Sequence, residues 1–147
     1  MPNTAFLHIM FVHFPVLGTP LLLFLGWKAV RSKSIRNYKT FYWLTLITSL
    51  LTVAVYFTGP QTAEWIKTNL LEYPKELVET HALWGRFAFI GSVFSGILGL
   101  MAIMNYAQDE KPHKSIPWIL IIVLVLNVFV LMYTAHLGGM IRRPDLL

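Results

Sequence analysis

The chain carries five histidines, His8, His13, His81, His113 and His136, and no cysteine. Imidazole moves protons near neutral pH and ligates iron, copper and zinc, so it is the side chain here best able to do chemistry. The lack of thiols excludes disulfides, zinc ribbons, thiolate-held iron–sulfur clusters and c-type haem attachment. His8 and His13 stand in MPNTAFLHIMFVHFPVLGTP, a stretch otherwise suited to lipid. Ionisable groups in such a setting are costly, and they usually face a bundle interior. Positions five apart on a helix differ by about 140° of rotation. The two rings therefore cannot hold one small ion without distortion, and the spacing suits a larger planar cofactor or two separate sites.

The elements that must position these rings follow from composition. Apolar residues make up 56% of the 147 and charged residues 13%, roughly half the charged share of a soluble domain. Apolar runs near 20 residues are membrane-helix candidates, and four of them predict an all-α integral membrane four-helix bundle. It forms a single domain over 1–147, with spans at about 6–27, 41–58, 81–106 and 118–136. No basic segment precedes the first run and no small-residue cleavage pattern follows it, so Met1 to Leu147 is expected to be the mature chain. Lys28, Arg31, Lys33, Arg36 and Lys39 crowd the first loop with no acid among them, and together equal the net charge of +5. That placement predicts a cytoplasmic loop rather than a nucleic-acid face, with both termini on the periplasmic side. The second loop is predicted to hold an amphipathic helix on the outer face. Between Pro60 and Pro74, Ala63, Ile66, Leu70 and Tyr73 recur at helical spacing beside Glu64, Lys67 and Glu72. The third helix is expected to begin just after Pro74. Pro15 and Pro20 are expected to kink the first span.

With this topology His8, His13, His81 and His136 fall at one end of the molecule, on three helices, while His113 lies alone in a charged loop at the other. His13 and His81 face each other if the helices wind in order, which makes them the first choice as axial ligands of a haem b. His8 and His136 are then a second pair for a second haem, or propionate partners. Arg86, Arg142 and Arg143 can pair with propionates as planar forks or snorkel to headgroups. Gly85 and Ala88 leave clearance for a macrocycle, whereas Ser92, Ser95, Gly96 and Gly99 read as helix packing. Gly138 and Gly139 are expected to let the tail turn over the site. The alternative is a copper or zinc ion on His13, His81 and His136, with Met10 or Met140 nearby for a cuprous ion. Thr45, Thr48, Ser49, Thr52 and Tyr56 on the second span are expected to hydrogen-bond between helices, as is Asn127 on the fourth. Trp27, Trp43, Trp84 and Trp118 fall near span ends as interface anchors.

His8-Ile-Met-Phe-Val-His13-Phe-Pro15 resembles the N-terminal His-Pro-x-x-Val-His-Phe-Pro signature of an uncharacterised bacterial family of small four-span membrane proteins, a domain of unknown function. Thr58-Gly59, His81-x-x-x-Gly85-Arg86 and His136-x-Gly138-Gly139 resemble the rest of its pattern. Ile9 stands where that pattern has proline. The resemblance implies haem binding, a redox-linked role and a bacterial inner membrane. By looser analogy the layout is similar to b-type cytochromes built as four-helix membrane bundles. The expected function is a haem b electron-transfer protein or anchor subunit, passing electrons between quinone and other respiratory or redox subunits. The alternatives are a histidine-based copper or zinc protein and a structural subunit. No nucleophile–base arrangement is visible, which fits a carrier rather than a stand-alone catalyst.

Overall fold

The computed structural model describes residues 3–69 and 73–142. Within them the chain forms α1 (Asn3–Phe11), α2 (His13–Ser32), α3 (Ile35–Asn69), α4 (Lys75–Ala107) and α5 (Ile116–Arg142). α1 and α2 run on as one 29-residue span from Thr4, and four spans in all are long and apolar enough to cross a membrane. The interruption between α1 and α2 has a cause in Pro15. Its ring crowds the carbonyl four residues back, that of Phe11, and it offers no N–H there. α1 ends at Phe11, whereas Pro20 leaves α2 unbroken.

The basic loop is much shorter than its charge run suggests. α2 continues to Ser32, and Lys33 turns the chain in the left-handed conformation (φ 52°) with its N–H on the Ala29 carbonyl at 2.9 Å. α3 then begins at Ile35, so the five cations sit mainly on helix ends. At the opposite end α3 runs straight through Pro60 to Asn69. The segment expected as a separate interfacial helix is thus the continuation of the second span. Loss of one N–H and one carbonyl partner is tolerated in a long membrane helix. Leu70 and Glu72 of that segment lie outside the described residues. Pro74 does mark the boundary before α4.

Helices α2, α3, α4 and α5 pack in sequence order, and α5 closes the ring against α2. α1 departs from this ring. It packs on α3 and α2, but no Cα of α1 comes within 8 Å of α4 or α5. Helices in close contact lie 8–10 Å apart axis to axis, so the histidine end is parted between α1 and the α4–α5 pair. The apolar core lies at the other end, where Leu22, Ala29, Phe41, Tyr42, Ala102, Ile116, Leu120 and Leu124 are buried together.

Glycines set how closely these helices approach. A Cβ on Gly26 would lie 2.9 Å from Phe41 Cζ, one on Gly99 would lie 3.1 Å from the Tyr42 carbonyl oxygen, and one on Gly96 would collide with the Ser49 side chain. The buried hydroxyls behave differently from expectation. Thr45 donates to the Phe41 carbonyl and Thr52 to that of Thr48, each within α3. A hydroxyl in lipid satisfies its proton most cheaply on the carbonyl one turn back, so these residues supply small volume rather than links between helices. Asn127 does bond across the bundle, its amide donating to Ser92 Oγ at 2.9 Å. Asn127→Ala is expected to destabilise the bundle by about 0.6–1.7 kcal/mol in a reversible detergent-unfolding titration.

Candidate functional site

The site forms where α1, α3, α4 and α5 meet at the parted end. His8 projects from the middle of α1 toward α3. Its Nδ1 lies 3.0 Å from the Val55 carbonyl oxygen and 3.0 Å from Thr58 Oγ1. The Thr58 hydroxyl has one proton, and it is given to the Val55 carbonyl at 2.8 Å. Nδ1 of His8 must therefore carry the hydrogen and donate to both oxygens. A neutral ring in this tautomer keeps its lone pair on Nε2.

His81, in the second turn of α4, is held in the same way by a different helix. Its Nδ1–H donates to the Thr134 carbonyl of α5 at 2.9 Å. Thr134 turns its own hydroxyl back onto the Val130 carbonyl. The ring lies against α5 beside Gly138, where a Cβ would stand 3.1 Å from His81 Cε1 and would need the ring to give by a few tenths of an ångström. Gly85, one turn further along α4, faces open space, with nothing within 4 Å of where a Cβ would be. The two imidazoles stand opposite one another, with centroids 6.5 Å apart and planes at 72°. Both are half-buried.

Each ring thus donates from Nδ1 to a main-chain carbonyl, and Nε2 has no hydrogen-bond partner among the described residues. This is the support that fixes tautomer and orientation in metal-ligating histidines. A metal–nitrogen bond of about 2.0–2.1 Å places two imidazole centroids roughly 6 Å apart when one ion lies between them. The observed separation is of that size. Among the described residues no three His, Cys, Asp or Glu side chains come together as a metal-holding group. Two imidazoles alone do not complete a tetrahedral site; a haem would ask no more than two such side chains of the protein.

The remaining histidines do not join this pair. His13 is exposed, and its Nδ1–H donates to the Ile9 carbonyl of its own turn at 2.9 Å. It is His8, not His13, that faces His81. The five-residue spacing that separates the two rings around the helix sends one inward and one outward, and the bundle selected the shallower. His136 is likewise exposed, on a different side of α5 from the Thr134 carbonyl and Gly138. A second pair from His8 and His136, and a three-histidine metal site on His13, His81 and His136, are therefore not assembled. His113 is exposed and bonds Ser115 at 2.8 Å.

Arg86 and Arg142 are both exposed at the histidine end; Arg143 lies outside the described residues. α5 stays helical through Gly138 and Gly139 to Arg142, so the tail does not turn over the site there. Gly138 instead makes room for an imidazole. Sequence reasoning missed Thr58 as a partner of His8 and the Val55 and Thr134 carbonyls as anchors. Carbonyls carry no residue signature, and only Thr58, a hydroxyl at the depth of His8 on another span, could have been found.

Gly138→Val is expected to push His81 off the Thr134 carbonyl while His8 keeps its bonds. Nitrogen-15 spectra of histidine-labelled protein should show the Nδ1–H form for three rings in the unsubstituted chain, His8, His13 and His81. One of these signals should be lost in the variant. No protein-family model, no curated protein and no solved structure matches this chain, so the chemistry of the site is read from the residues themselves.

Proposed function

We propose that the chain is a membrane-embedded electron carrier, or the anchor subunit of a larger redox assembly, that holds one haem b between His8 and His81. The observation that carries this reading is the pair itself. Two imidazoles from separate spans keep Nε2 uncommitted, each ring anchored at Nδ1 by a carbonyl. Bound there, a haem supplies one-electron chemistry by exchange between ferric and ferrous iron.

The chain's own residues do the rest. Val55 and Thr134 fix the tautomer and orientation of the rings. Gly85 and Gly138 keep side chains out of the space beside His81. Arg86 and Arg142, exposed at the same end, offer planar forks to carboxylates. The charge asymmetry supports an orientation with both termini and the histidine pair at the outer face. The resemblance of the chain's motifs to a bacterial family makes that face the periplasmic side of an inner membrane, where quinone in the bilayer and a redox subunit outside are natural exchange partners.

Protein purified in mild detergent from cells supplied with haem precursors tests this directly. The expected result is a Soret band, a reducible α-band and one haem per chain. A colourless preparation with stoichiometric copper or zinc by elemental analysis would replace haem with an ion bridging the same two rings. A colourless, metal-free one would remove the redox reading altogether.

A further inference from the structure

The end of the bundle away from the His8–His81 pair carries a second pattern that electron transfer does not use. Lys28, Arg31, Lys33, Arg36 and Lys39 gather there, and among the described residues the only ion pair is Lys75–Glu79, on the opposite side of the molecule. None of the five cations is neutralised by an acid. Arg36 and Lys39 moreover occupy the first two turns of α3, whose opening turn contains no acidic residue. Cations there oppose the helix dipole and are unfavourable unless an anion lies over them.

These two cations border a shallow, open groove along one face of α3, formed by that helix alone through Ile35, Arg36, Lys39, Thr40, Trp43 and Leu44. The lining is graded along the helix. Arg36, Lys39 and Thr40 lie at the end nearer the turn, and Trp43 and Leu44 lie one turn deeper into the apolar span. The Lys39 ammonium stands 5.3 Å from the centroid of the Tyr106 ring, which holds it beside the groove by attraction to the ring face. Thr45, Thr52 and Thr62 on the same helix all donate to their own carbonyls one turn back. No such bond engages the exposed Thr40 hydroxyl, which is left to donate elsewhere. Ile35 and Trp43 are each about half exposed. A charged rim over an apolar, tryptophan-lined trough is the chemistry of a headgroup above an acyl chain.

We propose that this groove binds one anionic glycerophospholipid from the leaflet around the basic end. Arg36 and Lys39 take the phosphodiester, Thr40 donates to it, and an acyl chain lies along Trp43 and Leu44. A zwitterionic lipid brings an ammonium group into the same cationic rim and is disfavoured. The inference is independent of the histidine pair and does not require a cofactor.

The test uses the whole chain in nanodiscs of mixed phosphatidylglycerol and phosphatidylcholine, with retained lipid counted by native mass spectrometry. The unsubstituted chain is expected to keep one phosphatidylglycerol. The double variant Arg36→Gln/Lys39→Gln should weaken retention roughly 30-fold, from the loss of two charges at the surface. Lys28→Gln/Arg31→Gln removes the same charge at the same end but outside the groove, and should change retention little. All four positions are exposed, and circular dichroism checks that helicity is kept. As a readout independent of these variants, brominated phosphatidylglycerol should quench Trp43 fluorescence more than brominated phosphatidylcholine, with Trp43→Phe giving the difference signal. Equal loss in the two double variants, or equal retention and quenching by the two lipids, would reduce the groove to part of a diffuse basic surface and overturn the proposal.

Discussion

Replacing His81 with alanine is expected to leave less than about a tenth of the Soret absorbance per chain. Loss of an outer hydrogen-bond partner alone typically costs 10–100-fold in metal affinity, and loss of the ligand costs more. His8→Ala should do the same, because neither ring has a substitute: His13 and His136 are exposed and turned away from the parting. His13→Ala and His136→Ala should both keep the full spectrum. This contrast makes the prediction sharp, since all four histidines lie at one end and composition alone cannot distinguish them. The imidazole of His81 also bonds Thr134 and packs against Gly138, so bleaching could reflect lost packing. Free imidazole added to the His81→Ala protein separates the two causes. It should restore the band if the ring acts as a ligand and should not if the ring only props α4 on α5. A chain that bleaches with His13→Ala and survives His8→Ala would show that the wrong pair has been chosen.

The second large effect is at the crossing of α3 and α4, where a Cβ on Gly96 would collide with both the Oγ and the Cβ of Ser49. Gly96→Leu is expected to abolish recovery of folded protein from the membrane, because neither backbone can retreat without separating helices that pack along most of their length. Gly96→Ala is the measurable version, with an expected loss of about 1–3 kcal/mol from overpacking. Combining it with Ser49→Gly should recover part of that loss. A coupling of about 0.5–3 kcal/mol in a detergent-unfolding cycle would mark direct contact. Ser49→Ala should not rescue, since the Ser49 Cβ would itself lie 2.6 Å from the added methyl group. Additive losses would mean the two helices cross elsewhere.

The number of spans was legible because a bilayer demands long, uninterrupted apolar runs, and those at 6–27, 41–58, 81–106 and 118–136 all fall inside observed helices. Asn127 could be anticipated as a cross-bundle hydrogen bond, since an amide at mid-span has no cheaper partner. The hydroxyls of Thr45 and Thr52 could not be assigned by the same argument. A threonine can reach its own carbonyl one turn back, and the chemistry of the residue does not say which option it takes. Helix α3 hid its true length behind Pro60, because proline only weakens a helix that other contacts hold in place.

Composition and periodicity alone determined that this chain is a helical membrane bundle with imidazoles gathered at one end and cations at the other. Local spacing also determined that His8 and His13 could not both point inward. Which of them does was decided by the tertiary structure. α1 packs on α3, where the Val55 carbonyl and Thr58 hydroxyl receive His8. His81 finds the Thr134 carbonyl where α5 presents Gly138, whose missing side chain leaves the ring room. These partners are main-chain oxygens and an absent side chain. They acquire meaning only when helices distant in sequence are brought to the same depth.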